Sequence, residues 1–303
     1  MEIELQRRAF LAKMRQDDKL YAYYPYPKFP SISITGEFCA MKCKHCGHRY
    51  LQHMVPCVEP AELYRKCIEF AKHGSRGVLI SGGYNIEGWV PLEGFLDAIE
   101  RVKSETGLFI NVHSGLVPTW LARELGRAGV DLISFDFIGA NETIEEVIGI
   151  EKTVKDYERS LDDLVDSVPS VAPHITIGLH GGELVGEQRA LEILSAKRIS
   201  ALVFLVLVPT PGTAFERVSS PKPEDVGRII SIARLEIPKV PLALGCMRPR
   251  SGELELQAML SGIDRIEIPR SETIQAAMRL GLDVRKIEAC CAVPKGFGEE
   301  EYG

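Results

Sequence analysis

No part of this sequence stays apolar for long. The longest such run, residues 201–208, stops at Pro209. A membrane helix needs roughly 18 or more apolar residues, so no membrane span is expected. Positive charge is not in excess either. Lysine and arginine total 36 against 42 acidic residues, a formal charge of −6. With no basic cluster, nucleic acid is not expected as a partner. The start of the chain has no apolar signal core and no small-residue cleavage site. Residues 1–18 instead mix charged side chains with Phe10, Leu11 and Met14, the pattern of an amphipathic helix. A cytoplasmic location is expected. Internal repeats, low-complexity tracts and an evident linker are missing as well.

What is present is ordinary globular material, 45% hydrophobic and 26% charged over 303 residues. Short apolar runs recur at 31–35, 77–80, 108–112, 132–138, 174–179, 202–208, 240–244 and 263–268. They are rich in β-branched and aromatic residues and bounded by Gly or Pro, so they read as strands. The run at 202–208 is apolar at every position, as in a parallel strand covered on both faces. Helical periodicity fills the intervals, at 61–73, 92–104, 118–127, 154–165, 187–197, 223–235, 254–261 and 274–280. This alternation predicts the α/β class and a parallel (β/α)8 TIM-type barrel over residues 31–293. If the last run does not join, a partial, open (β/α)6 barrel remains. Residues 1–30 read as an N-terminal helical extension, and 294–303 as a loose tail.

Function in a parallel barrel sits at the C-terminal ends of the strands. After the first run comes Cys39-Ala-Met-Lys-Cys43-Lys-His-Cys46. Three thiolates this close can hold three irons of a four-iron cluster, which normally takes four cysteines, and so leave one iron open. The competing reading is structural zinc on Cys43, Cys46, His53 and Cys57. The spacing around His53 is irregular for that, and Cys39 would have no role. Ser81, Gly82 and Gly83 follow the second run. His113 ends the third, Asp136 lies in the fourth and Gly178 in the fifth.

The C-x3-C-x2-C motif after a first barrel strand resembles that of the radical S-adenosylmethionine superfamily. The resemblance implies a [4Fe–4S] cluster on Cys39, Cys43 and Cys46, with S-adenosyl-L-methionine on the open iron. Reductive cleavage would then give a 5′-deoxyadenosyl radical. It also implies that His45 lies beside the adenine. Ser81-Gly82-Gly83 matches the turn whose backbone holds the methionine amino group, although Tyr84 stands where that family often has Glu. Residues 175–182, with Gly178, resemble the fifth-strand segment that packs near the adenine. His113 and Asp136 would point toward cofactor or substrate, or serve as hydrogen-bonded core residues.

Five cysteines remain. Cys67 reads as a small core residue on a helix, and Cys57 follows the cluster loop. Cys246, Cys290 and Cys291 are expected either to hold a second iron–sulfur cluster or to be unrelated buried thiols. Arg248 and Arg250 are candidates for a carboxylate or a cluster edge, or are surface residues.

Across most of its length the chain resembles the biotin-synthase-like branch, and within it a component of the archaeal two-protein lipoyl synthases. That implies a sulfurtransferase acting on a protein-bound octanoyl chain. It implies as partners a second radical enzyme component, a lipoyl carrier protein and a ferredoxin- or flavodoxin-type electron donor. Two other readings stay open: a radical mutase or lyase on a small amino acid, and a non-catalytic, metal-stabilised scaffold.

Overall fold

The computed structural model describes residues 2–298. Its strands are β1 (Lys19–Tyr23), β2 (Ser31–Ser33), β3 (Val55–Pro56), β4 (Gly77–Ser81), β5 (Phe109–His113), β6 (Leu132–Asp136), β7 (Ser170–Ile177), β8 (Leu202–Val206), β9 (Leu242–Leu244), β10 (Arg265–Glu267) and β11 (Asp283–Ile287). The helices are α1 (Glu2–Met14), α2 (Pro60–Lys72), α3 (Leu96–Glu105), α4 (Thr119–Arg127), α5 (Asn141–Thr143), α6 (Val154–Ser167), α7 (Glu187–Ser195), α8 (Pro223–Glu236), α9 (Gly252–Leu260) and α10 (Ser271–Arg279).

The eleven strands form one sheet in the order β11-β1-β10-β9-β8-β7-β6-β5-β4-β2-β3. Every paired neighbour runs parallel, from Ser31 beside Leu79 to Asp136 beside His174. The parallel barrel expected from the sequence is therefore present, with each of the eight runs in its place. It is open: among the described residues no ladder joins β3 to β11. The segment 1–30 is more than a helical extension. After α1 the chain enters the sheet as β1, between β10 and β11. Lys-Leu-Tyr-Ala-Tyr carries no β-branched residue, so it does not stand out as a strand.

Helix starts and stops follow local chemistry. Pro60 opens α2 behind a capping box between Glu59 and Glu62, and Thr153 with Asp156 does the same for α6. Each box satisfies backbone donors that the first turn leaves without partners. The helices lie on the outer face of the sheet. There Ile32, Ile80, Ile110, Ile133, Phe204 and Ile266 join the helix residues in one apolar core.

Successive strand side chains point to opposite faces, so the intervening residues face inward. That inner face has its own cluster, including Tyr21, Tyr23, Leu132, Ala172, Val203 and Ala243. What packs against it is the chain's own C-terminal stretch. Ala289, Cys291, Ala292 and Val293 are all at most 2% exposed within this cluster. The barrel lumen is thus plugged by the segment after β11 rather than by stacked strand side chains alone. Small inner residues, Ala172 and Ala243, leave room for it. Residues 294–303, expected as a loose tail, lie partly outside the described residues. Within them Phe297 packs on Phe109 at 4.8 Å and on Phe29 at 6.4 Å between ring centres.

Candidate metal and cofactor site

The three-cysteine loop leaves β2 and is tied to the turn after β4. The Ala40 N–H donates to the Tyr84 carbonyl at 2.8 Å, and the Tyr84 N–H to Cys39 Sγ at 3.2 Å. Gly83 N–H donates to Thr35 Oγ1 at 2.7 Å. A Cβ on Gly83 would meet the Phe38 carbonyl at 2.0 Å and the Cys39 Cα at 2.5 Å. Only glycine fits so close a backbone approach. From the other side, Lys44 N–H reaches the Val147 carbonyl at 2.9 Å, and the Cys43 thiol faces the Ile148 carbonyl at 3.7 Å.

Ligand atoms of Cys43, His45 and Cys46 lie within 4.8 Å of one another. A hydrogen bond from Cys43, working against burial and helped by His45, pulls the Cys46 thiol down to about 5. The same bond, together with burial, pushes Cys43 up. Burial raises Cys39 as well. The loop thus stabilises a thiolate, the form that binds metal. The zinc alternative is not assembled, because Cys57 is 2% exposed in the outer apolar core and His53 is exposed. Cys67, also in that core, is pushed up to about 12 by burial.

One cavity of about 500 Å³ takes in all of these groups. Cys39, Cys43, His45, Cys46, Ser81, Gly82, Gly83, His113 and Asp136 line it. So do Cys246, Cys290 and Cys291, from the loop after β9 and from the plug. The structure therefore brings both cysteine sets into one chamber. Gly178 is not on its wall. Its N–H, in a turn at φ +74°, donates to Glu187 Oε1 at 2.8 Å, and Glu187 faces the cavity instead.

Between the two cysteine sets lies a polar patch on inner strand positions. His113 Nε2 is 3.2 Å from Asp136 Oδ2, and His174 stacks on His113 with ring centres 5.6 Å apart. Burial pushes the Asp136 carboxyl up, but His113 outweighs it and holds Asp136 below the usual carboxylate range. Burial lowers His113, but Asp136 outweighs it and raises His113 above the usual imidazole range. His174 is drawn down to about 4 by burial and then by the charge of His113. Its Nδ1 donates to the Ala172 carbonyl at 2.9 Å, so the neutral ring carries its lone pair on Nε2.

Sequence reasoning missed His174, Glu187 and Glu267, which also line the cavity. A signal was present: inner positions of otherwise apolar strands are polar, as in Asn111 and His113, Ser134 and Asp136, His174 and Thr176. Arg250 is exposed, as a surface residue, while Arg248 is buried, and neither lines the cavity. Arg248, 3% exposed, donates to the Gly245 carbonyl and to Glu255 Oε1, each at 2.6 Å. Arg250 donates to the carbonyls of Cys246 at 3.1 Å and Ile268 at 3.2 Å. Both brace the turns that carry Cys246 and Glu267.

Residues 33–207 match the radical SAM superfamily, and the chain belongs to that family. Among curated proteins it is similar to biotin synthases. It is 28% identical to that of Ruthia magnifica over 51% of this chain and 48% of the relative, so it spans about half that protein's length. It is 25% identical to that of Rickettsia felis over 77% of this chain and 76% of the relative. Among solved structures, methylornithine synthase aligns with TM-score 0.67 at 14% identity, over 93% of this chain and 89% of that one. The FeFe-hydrogenase maturase of Carboxydothermus hydrogenoformans aligns at 0.69 and 14%, over 95% and 73%. At that identity the likeness establishes the fold.

Family membership implies a [4Fe–4S] cluster and S-adenosylmethionine, and the residues fit both. Three thiols stand on one loop, and the glycine turn is packed directly against Cys39. Buried polar atoms, His45 Nδ1, Asp136 Oδ1 and Glu187 Oε2, have no protein partner among the described residues. Buried polar atoms normally have one, so a bound polar molecule accounts for them. The described residues contain no helix long and apolar enough to cross a membrane.

Proposed function

We propose that this radical SAM enzyme inserts sulfur at an unactivated carbon. Its substrate is read as a protein-bound octanoyl chain, and the enzyme as one component of a two-protein lipoyl synthase. The observation that carries the reading is the second thiol set, Cys246, Cys290 and Cys291, on the same cavity as the three-cysteine loop. When bound, the first cluster supplies the electron that breaks S-adenosylmethionine to a carbon radical, and a second cluster supplies the sulfur. The residues of the chain provide the rest. Cys39, Cys43 and Cys46 hold the first cluster, and the backbone at Ser81, Gly82 and Gly83 holds the methionine end of the cofactor. His45, on the same cavity, would lie beside the adenine. Leu79, Ile175, Val203, Leu205 and Leu207 give the chamber an apolar wall that suits an alkyl chain and excludes water. The partners proposed are a second radical SAM component, an octanoylated lipoyl carrier protein and a ferredoxin- or flavodoxin-type donor. The similarity to biotin synthases supports the sulfur chemistry.

A second reading, a radical mutase or lyase on a small amino acid, is favoured by the polar patch of His113, Asp136 and His174. One experiment separates the two. Iron and sulfide are counted after anaerobic reconstitution of wild type and of the Cys39→Ala, Cys43→Ala, Cys46→Ala triple variant. About eight irons in wild type with about four surviving in the variant supports sulfur insertion. About four irons, all lost in the variant, removes the second cluster and leaves the mutase or lyase. Absence of S-adenosylmethionine cleavage by reduced wild type would leave only the scaffold.

A further inference from the structure

Glu267 sits on the inner face at the end of β10 and is 6% exposed. A carboxylate so far from solvent is normally paired or bound to metal, because burying an unpaired charge is costly. Its neighbour on the same face, Arg265, does not pair with it. Arg265 Nη1 donates instead to the plug carbonyls of Cys291 at 2.9 Å and Val293 at 2.6 Å. The carboxylate of Glu267 receives a long hydrogen bond from the Cys291 N–H at 3.4 Å and meets the Cys291 thiol. It has no ion pair among the described residues.

Its other neighbours are thiols. Ligand atoms of Glu267, Cys290 and Cys291 lie within 4.8 Å of one another. They come from two separate stretches of chain, brought together only because the plug enters the lumen. Cys246 completes the surroundings from the turn after β9. It lines the same cavity as Glu267, Cys290 and Cys291. Asn111 Nδ2 approaches Cys290 Sγ at 3.8 Å, as a donor toward a thiolate would.

We propose that Glu267 is the fourth protein ligand of the second cluster, completing Cys246, Cys290 and Cys291. The assignment rests on the second-cluster reading above. Three thiolates leave one corner of a four-iron cluster without a protein ligand. The Glu267 carboxylate is the remaining anionic group at that spot. A carboxylate is a harder ligand than a thiolate and binds such iron less firmly. The corner held by Glu267 is therefore the one that exchanges most readily.

Cys43, His45 and Cys46 are gathered as closely as Glu267, Cys290 and Cys291, so counting metal is the direct test of nuclearity. The Cys39→Ala, Cys43→Ala, Cys46→Ala variant serves as the reference, since only the second site remains in it. Glu267→Ala, Glu267→Gln and Glu267→Cys are added singly to this reference. Each protein is reconstituted anaerobically. Iron, sulfide and the electron paramagnetic resonance spectrum are measured, with circular dichroism confirming the fold. The reference is expected to hold about four irons. Glu267→Ala and Glu267→Gln, left with three thiolates, are expected to hold about three to four irons with a changed spectrum, and Glu267→Cys about four with an altered spectrum. Four irons and an unchanged spectrum in both Glu267→Ala and Glu267→Gln would overturn Glu267 as a ligand while leaving the second cluster standing. A reference that takes up no iron, or one metal without sulfide, would overturn the second cluster itself.

Discussion

His113, Asp136 and His174 share one corner of the chamber, and its two histidines are shifted in opposite senses. His113 and Asp136 stand out in the sequence, as polar residues at or near the ends of apolar runs, on the face where barrels act. His174 opens a mostly apolar run, and only the observed register brings its ring beside His113, 5.6 Å centre to centre. Their titration leads to a pH prediction for the cluster-free protein. His174 titrates near 4 when folded, against about 6.5 unfolded. Between those values the unfolded chain binds more protons, so stability rises with pH, by roughly 3 kcal/mol over the window. His113 works in the opposite sense. Its folded value is raised, so its contribution is complete below the unfolded value and is lost as pH rises through the folded one. In the cluster-free protein Cys46, held down to about 5, adds a rise in stability above that pH that opposes the His113 loss, so the acid limb is the one His174 sets. His174→Asn should flatten the acid side and leave the alkaline side in place. Urea unfolding from pH 4 to 8 measures both limbs, and equal acid limbs in the two proteins would refute the assignment.

Elements were legible where hydrophobic periodicity was strong. β8, apolar at each position, and α2, with proline and a capping box at its start, announce themselves. β1, β3 and β11 do not. β3 is two residues long, and β11 is an edge strand whose Asp-Val-Arg-Lys-Ile is mostly exposed. The packing of α1 was equally hidden. Lys13 reads as one more charge on an amphipathic helix, yet it is 1% exposed and donates to the Lys19 carbonyl at 2.7 Å. Arg234 on α8, also 1% exposed, pairs with Asp264 and donates to the carbonyls of Gly262 at 2.9 Å and Pro238 at 2.7 Å. Asp264 in turn accepts from the Leu242 N–H at 2.7 Å and lies 3.8 Å from Lys13. These charges pin α1 and α8 to the start of β9 and β10. Removing one partner leaves the others buried and uncompensated. Arg234→Ala should therefore cost about 3–5 kcal/mol in urea unfolding. A loss below about 1 kcal/mol would mean the cluster behaves as an exposed pair.

At the scale of the molecule, the least legible feature is the one that organises the interior. A closed barrel fills its lumen with layers of its own strand side chains. Here the sheet stays open among the described residues, its inner alanines are small, and the stretch after β11 fills the space. Nothing in the periodicity of residues 288–298 reveals this, because the stretch is neither helix nor strand and its partners lie up to 270 residues earlier, at Tyr21. Arg265 is what holds it, through two hydrogen bonds to plug carbonyls. Arg265→Ala would leave those carbonyls unpaired, at about 1–3 kcal/mol each. The loss falls on contacts between plug and lumen, not on the ladders of the sheet or the helices outside it. The plug should then open as a unit while the sheet persists, a sub-global opening of the kind seen in native-state exchange. Amide hydrogen exchange can read this directly. In wild type, amides of residues 289–293 should exchange about as slowly as those of β1 and β10. In Arg265→Ala they should exchange at least roughly 30-fold faster, as a loss of about 2 kcal/mol or more requires, with β5 to β8 unchanged. Equal acceleration in plug and sheet would mean the lumen segment is an inseparable part of the global core. The thiols of Cys290 and Cys291 would then be fixed in place by the whole fold rather than by one arginine.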